Sequence, residues 1–187
     1  PVFILNKYFS SHDAGQYSLA AGILLTPVVL LVGSASKVIN QKIIERINSN
    51  LPVYNQIFKF LLISMPIVAS FFIIFYFFSE PVFILLFGHE WQQAGKIAGI
   101  LLPWVFMVLF TSPFSFIPDI FFRQRKAMLI DMGYLFLRII SMATGVYFKN
   151  YQLAVLLFVV SGCIVLSYCL LWYLSLLKKH EKLMSKL

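Results

Sequence analysis

Charge is scarce in this sequence. Only 12% of its 187 residues are Asp, Glu, Lys or Arg, and just seven are acidic, against roughly 25% charged residues in an ordinary soluble domain. With 60% hydrophobic residues and a mean hydropathy of +0.87, the chain carries more apolar surface than a soluble core absorbs. Cysteine is equally sparse. Cys163 and Cys169 lie six apart in one apolar stretch, on different helical faces, which excludes a disulfide scaffold and predicts reduced thiols with no metal role. His12, His89 and His180 fall in separate loop and tail segments without metal-ligand spacing. There is no nucleophile elbow and no Gly-rich phosphate loop. These absences speak against an enzyme, and neither a metal nor any other cofactor is expected.

Long apolar runs take the place of these features. A helix rises about 1.5 Å per residue, so about 20 apolar residues cross roughly 30 Å of hydrocarbon. Five stretches meet that length, approximately Gly15 to Ser36, Phe60 to Phe78, Ile97 to Ile117, Met128 to Phe148 and Leu153 to Leu177. Four contain no charged residue, and the fourth in chain order holds Asp131 and Arg138. The expected fold is an all-α polytopic bundle of five complete spans. The chain opens on Pro1-Val-Phe-Ile-Leu, with neither initiator Met nor signal-peptide pattern. These residues are expected to be the outer end of a preceding span, and the chain part of a longer protein.

The few charges are sorted. Lys37, Lys42, Arg46 and Lys59 occupy the first gap, Arg123, Arg125 and Lys126 the third, and Lys178, Lys179, Lys182 and Lys186 the tail. The alternate segments hold only Lys7, Lys96 and Lys149, beside Asp13, Glu80 and Glu90. The positive-inside rule makes the eleven-cation side cytoplasmic, which puts the C-terminus (residues 178–187) in the cytoplasm. The net charge of +8 is therefore explained by helix ends meeting anionic lipid heads, and no nucleic-acid partner is expected.

Two further pieces are predicted not to span. Ile39, Ile43, Ile44 and Ile47 form one helical stripe opposite Lys42, Glu45 and Arg46, which suits either a helix on the cytoplasmic surface or a plain extension of the first span. Pro81 to Phe87 is too short to cross. With Ser79 to Pro81 before it and Gly88 after it, it reads as a separate outer helix, interfacial or re-entrant. Pro27, Pro66, Pro103, Pro113 and Pro118 lie in or at the edge of spans, where each removes a backbone hydrogen bond. Gly95 and Gly99 form a G-x-x-x-G step, expected to let two helix backbones approach.

Arg138 is the cation that orientation does not explain. It lies twelve residues from Lys126 and eleven from Lys149, near the bilayer midplane, where insertion scales put an Arg at about +2.5 to +3.5 kcal/mol. Two readings account for it. One is an internal ion pair with Asp119 or with Asp131, of which Asp119 is the better placed because Asp131 is about 10.5 Å away along the same helix. The other makes Arg138 a lining cation of a cavity that receives an anionic substrate, gripping phosphate through parallel hydrogen bonds. Arg138, Asp131 and Asp119 are thus the candidate substrate-binding residues.

Two segments resemble a known family. Tyr8-Phe-Ser-Ser-His-Asp-Ala-Gly-Gln-Tyr17-Ser-Leu-Ala, continuing to Pro27 and Gly33, is similar to a stretch of polysaccharide flippases in which a short outer loop leads through a G-x-Y-S element into a helix. Leu86-Phe-Gly-His-Glu-Trp91-Gln-Gln-Ala94, followed by Ile100-Leu-Leu-Pro103-Trp104, resembles their F-G-x-x-W-x-x-A element. The family is the Wzx-type O-antigen and polysaccharide flippases of the multidrug/oligosaccharidyl-lipid/polysaccharide exporter superfamily. The resemblance implies the second lobe of a two-lobe transporter in the bacterial inner membrane. It also implies an undecaprenyl-diphosphate-linked oligosaccharide as substrate, with membrane lipids and other glycan-assembly proteins as partners. A drug or lipid exporter of the same superfamily would share the helix plan. A glycan polymerase would need a large polar outer loop that no gap provides, and a scaffold subunit would leave Arg138 without a purpose.

Overall fold

A computed structural model describes residues 1–184, so Lys186 of the predicted tail lies outside the described residues. Among the described residues there is no strand. The helices are α1 (Val2–Tyr8), α2 (Ser11–Asn48), α3 (Tyr54–Phe87), α4 (Gln92–Thr111), α5 (Ile117–Ile120), α6 (Gln124–Tyr147) and α7 (Tyr151–Met184). Short 3-10 turns at His89–Trp91 and Ser112–Phe114 flank α4. Five stretches are long and apolar enough to cross a membrane: α2, α3, the α4-centred stretch His89–Ile120, α6 and α7. The protein is an all-α polytopic bundle.

Local chemistry sets three of the helix ends. The Ser10 hydroxyl accepts from the Asp13 backbone N–H at 3.0 Å and caps α2. Gly88 stops α3 with φ of +96°, a conformation that a Cβ disfavours. Asn150 begins α7 by accepting from the Leu153 N–H at 3.0 Å. Val53, before α3, has no capping side chain. Instead Glu181, near the end of α7, accepts from the Tyr54 N–H at 2.6 Å.

Two expectations about the non-spanning pieces are resolved by continuity. Residues 39–47 extend the first span, since α2 runs unbroken to Asn48. The separate outer helix at Pro81 to Phe87 does not exist, because α3 passes straight through Ser79 and Pro81 and only the stop at Gly88 operates. The reason is tertiary. Ser79 is buried against α4, and its hydroxyl donates to the Tyr76 carbonyl one turn back. A Cβ on Gly95 would fall 2.7 Å from Glu80 Cα, and one on Gly99 would fall 3.1 Å from Ser79 Oγ. The G-x-x-x-G step therefore seats α4 directly on the backbone of α3 at the point where Pro81 would otherwise break it. Pro27, Pro66 and Pro103 likewise lie inside continuous helices. Pro113 and Pro118 occupy first-turn positions of short helices, where the missing N–H has no partner to lose.

α4 is the centre of the bundle and packs against α2, α3 and α7. Half of its spanning window is buried, against 6% for α3 and 11% for α6. α3 and α6 expose Phe71, Ile74, Phe77, Leu135, Phe136 and Ile140 on their outer faces, as helices bordering lipid do. α6 joins the bundle chiefly through α7, and their hairpin is tight enough that a Cβ on Gly145 would sit 2.2 Å from Ala154 Cβ. The core divides along the bundle. One cluster gathers Tyr17, Ala94, Trp104 and Phe158, and the other gathers Ile43, Phe114, Ile117 and Trp172 beside the cation-rich gaps.

Candidate functional site

The α6 positions Tyr134, Arg138, Ser141 and Gly145 repeat at spacings of four, three and four, which places them on one face of the helix. That face meets α7 and the Trp104 edge of α4. Ser141 donates to the Leu137 carbonyl at 2.7 Å and lies 3.3 Å from the Ser161 hydroxyl, while Gly145 touches Ala154.

Arg138 sits nine residues before the end of α6, about 14 Å of helical rise from the α6–α7 turn. Side chains on a helix lean toward its N-terminus, and this one reaches back to Tyr134. Its Nη2 donates to the Tyr134 hydroxyl at 2.5 Å. The guanidinium carbon lies 4.0 Å from the Tyr134 ring centroid, 4.7 Å from that of Phe158 and 5.3 Å from that of Trp104. The Trp104 indole N–H donates to the same Tyr134 oxygen at 3.0 Å, so one hydroxyl holds both the cation and a wall of its box. Gly162 makes the space: a Cβ there would fall 2.5 Å from Trp104 Cδ1 and 3.0 Å from the Tyr134 oxygen.

The energetics of this box show what compensates the charge of Arg138 in place of a carboxylate. A desolvated cation–π contact contributes about 2 kcal/mol, and a hydrogen bond to a charged group about 1.5–3 kcal/mol. Together these are enough to offset the insertion cost of about 2.5–3.5 kcal/mol. No carboxylate is needed, and among the described residues none pairs with Arg138. The expected ion pair with Asp119 or Asp131 is absent: the side chain leans toward the N-terminal end of α6 but stops at Tyr134, one turn back, while Asp131 lies three residues further along and shares an exposed groove with Asp119. Rings and a hydroxyl stabilise the charge without cancelling it. Arg138 Nε is buried with no hydrogen-bond partner, so the guanidinium keeps unspent donor capacity.

Asp119 and Asp131 are brought together elsewhere. Both are exposed, and they line an open groove of about 510 Å³ with Ser115, Gln124, Met128 and Met132, toward the cation-rich end. The structure therefore unites two of the three candidate residues and separates Arg138 from them. Nothing in the sequence ties Trp104, Phe158 and Gly162 to Arg138, since they come from other helices. Tyr134 is also absent from the candidates read in the sequence, although its i, i+4 spacing to Arg138 is the signal that points to it.

A second polar feature joins the two sequence elements that carry the family resemblance. Gln16, 2% exposed, donates through Nε2 to the Glu90 carbonyl at 2.7 Å and accepts through Oε1 from the Ala94 N–H at 2.8 Å. This side chain clamps the start of α2 to the start of α4, which marks these elements as structural. Comparison with protein-family models, with curated proteins and with solved structures returned no match.

Proposed function

We propose that the protein is a lobe of a flippase that moves an undecaprenyl-diphosphate-linked oligosaccharide across the bacterial inner membrane, with its cation-rich end and C-terminus in the cytoplasm. The observation that carries this reading is the intramembrane Arg138, held by aromatic rings and a hydroxyl and paired with no carboxylate among the described residues. A guanidinium held by rings and a hydroxyl keeps its full charge. One left with its charge and spare donors suits a substrate that brings its own negative charge, and a diphosphate does.

The rest of the mechanism follows from solvation. Sugars and diphosphate cannot enter hydrocarbon, so they need a polar route while the polyprenyl tail stays in lipid. Pro27, Pro66 and Pro103 within spanning helices supply points of flexure for rocking one lobe against another. Replacing Arg138 with Ala is expected to abolish surface-glycan production while protein levels hold, and Arg138→Lys, which keeps the charge and loses the planar fork, to give an intermediate yield. Normal glycan output from Arg138→Ala would overturn the role. Loss of drug resistance with intact glycan would instead favour an exporter of small molecules.

A further inference from the structure

The helices α2 and α3 follow one another in the chain but do not pack along their length; each leans on the α4 stretch, α2 partly through the Ser112–Phe114 turn. What they leave between them is a groove of about 640 Å³, well within the roughly 300–1,000 Å³ of small-molecule sites. Its character changes along its length. Ala35, Val38, Ile39, Ile57 and Phe60 make it apolar toward the membrane interior, with Phe114 on its floor. Lys42 and Arg46, one helical turn apart, stand at its other end. Lys42 lies six residues beyond the predicted end of the first span at Ser36, about 9 Å of helical rise, which is headgroup depth.

Neither cation is neutralised. Arg46 Nη1 donates to the Pro52 carbonyl at 2.8 Å, a neutral partner. Lys42 has no partner among the described residues. The one acid on this turn, Glu45, accepts from Gln41 at 2.8 Å and does not line the groove.

We infer that this groove is a binding site for an anionic phospholipid of the adjacent leaflet, its phosphate between Lys42 and Arg46 and its acyl chain along Ala35, Val38, Ile39 and Phe60. Charge complementarity selects the headgroup, because two unneutralised cations at headgroup depth attract anionic lipid by about 1 kcal/mol each. The apolar run selects a lipid over a free phosphate, which would have no use for it. The inference does not depend on what the protein transports.

The test is native mass spectrometry of the purified protein in detergent, titrated with dioleoyl phosphatidylglycerol, dioleoyl phosphatidylcholine or glycerol 3-phosphate. Phosphatidylglycerol is expected to bind and to outcompete phosphatidylcholine, with glycerol 3-phosphate silent. Lys42→Gln or Arg46→Gln should weaken binding roughly 5-fold each and the pair roughly 25-fold. Lys59→Gln, near the same end but outside the groove, should leave it unchanged. Ala35→Trp keeps both cations and fills the apolar end, so it should also lose the lipid; Val38→Trp, at an exposed position, serves if Ala35→Trp does not fold. Equal binding of the two phospholipids would overturn the site, as would full binding by both Trp variants, since either result reduces it to general surface attraction. Binding of glycerol 3-phosphate as tight as that of the lipid would make it a phosphate site instead.

Discussion

At the scale of single residues, Tyr134 matters more than its position in the sequence suggests. Its hydroxyl accepts from both Trp104 and Arg138, so removing one oxygen leaves two donors unmatched, one of them charged. Tyr134→Phe is expected to destabilise the protein by about 1–3 kcal/mol, the cost of orphaned buried groups, measured as a lowered unfolding temperature in detergent. Repeating the change in an Arg138→Met background should shrink the effect, because one donor is then already gone. Equal losses in both backgrounds would mean that the Tyr134–Arg138 bond contributes nothing. The unneutralised charge of Arg138 was foreseeable only as a question. Its depth is a matter of counting along the chain, whereas the rings that answer it come from α4, α6 and α7.

At the scale of elements, the glycines separate into two classes that composition does not distinguish. Gly95, Gly145 and Gly162 each lie where another helix comes within 2.7 Å or less of a hypothetical Cβ, while Gly22 and Gly133 have nothing within 4 Å. Gly162→Ala is expected to displace Trp104 and cost about 1–3 kcal/mol by overpacking. Gly145→Ala meets backbone of Ala154 that has no way to retreat and should be at least as harmful. Gly22→Ala and Gly133→Ala should be neutral or slightly stabilising, since Ala is the better helix former. Thermal melts of the four variants check this, and equal losses in all four would refute the contact assignment. The same packing explains the absent break at Pro81. Ser79 to Pro81 carries local start signals, but α4 lies against Ser79, Glu80 and Phe83 and holds the helix together through them. Conversely, the G-x-x-x-G step was readable in advance, because close approach at small residues needs only the spacing and a partner.

At the scale of the whole molecule, the gaps richest in Lys and Arg gather at one end. Glu181 caps α3 there, the His180 ring lies 5.5 Å from that of Phe121, and Asn50 to Pro52 face Met184 across a shared pocket. At the other end Gln16 meets Glu90, and the Phe9 ring lies 6.0 Å from that of Tyr151. If the cation-rich end is cytoplasmic, a membrane-impermeant maleimide added to intact cells should label Lys149→Cys and Glu90→Cys and spare Arg125→Cys and Lys179→Cys. The opposite pattern would invert the topology. What the sequence by itself determined was the number of spans, their alternation and the sorting of charge between the ends, because each depends on the transfer of a contiguous segment between water and hydrocarbon. Only the tertiary structure decided which helix is central, that Asp119 and Asp131 share a groove away from Arg138, and that Arg138 is held by aromatic rings in place of a carboxylate. Those outcomes turn on side chains distant in sequence meeting at distances of a few ångströms, and within a bilayer apolar faces are nearly equivalent until packing chooses among them.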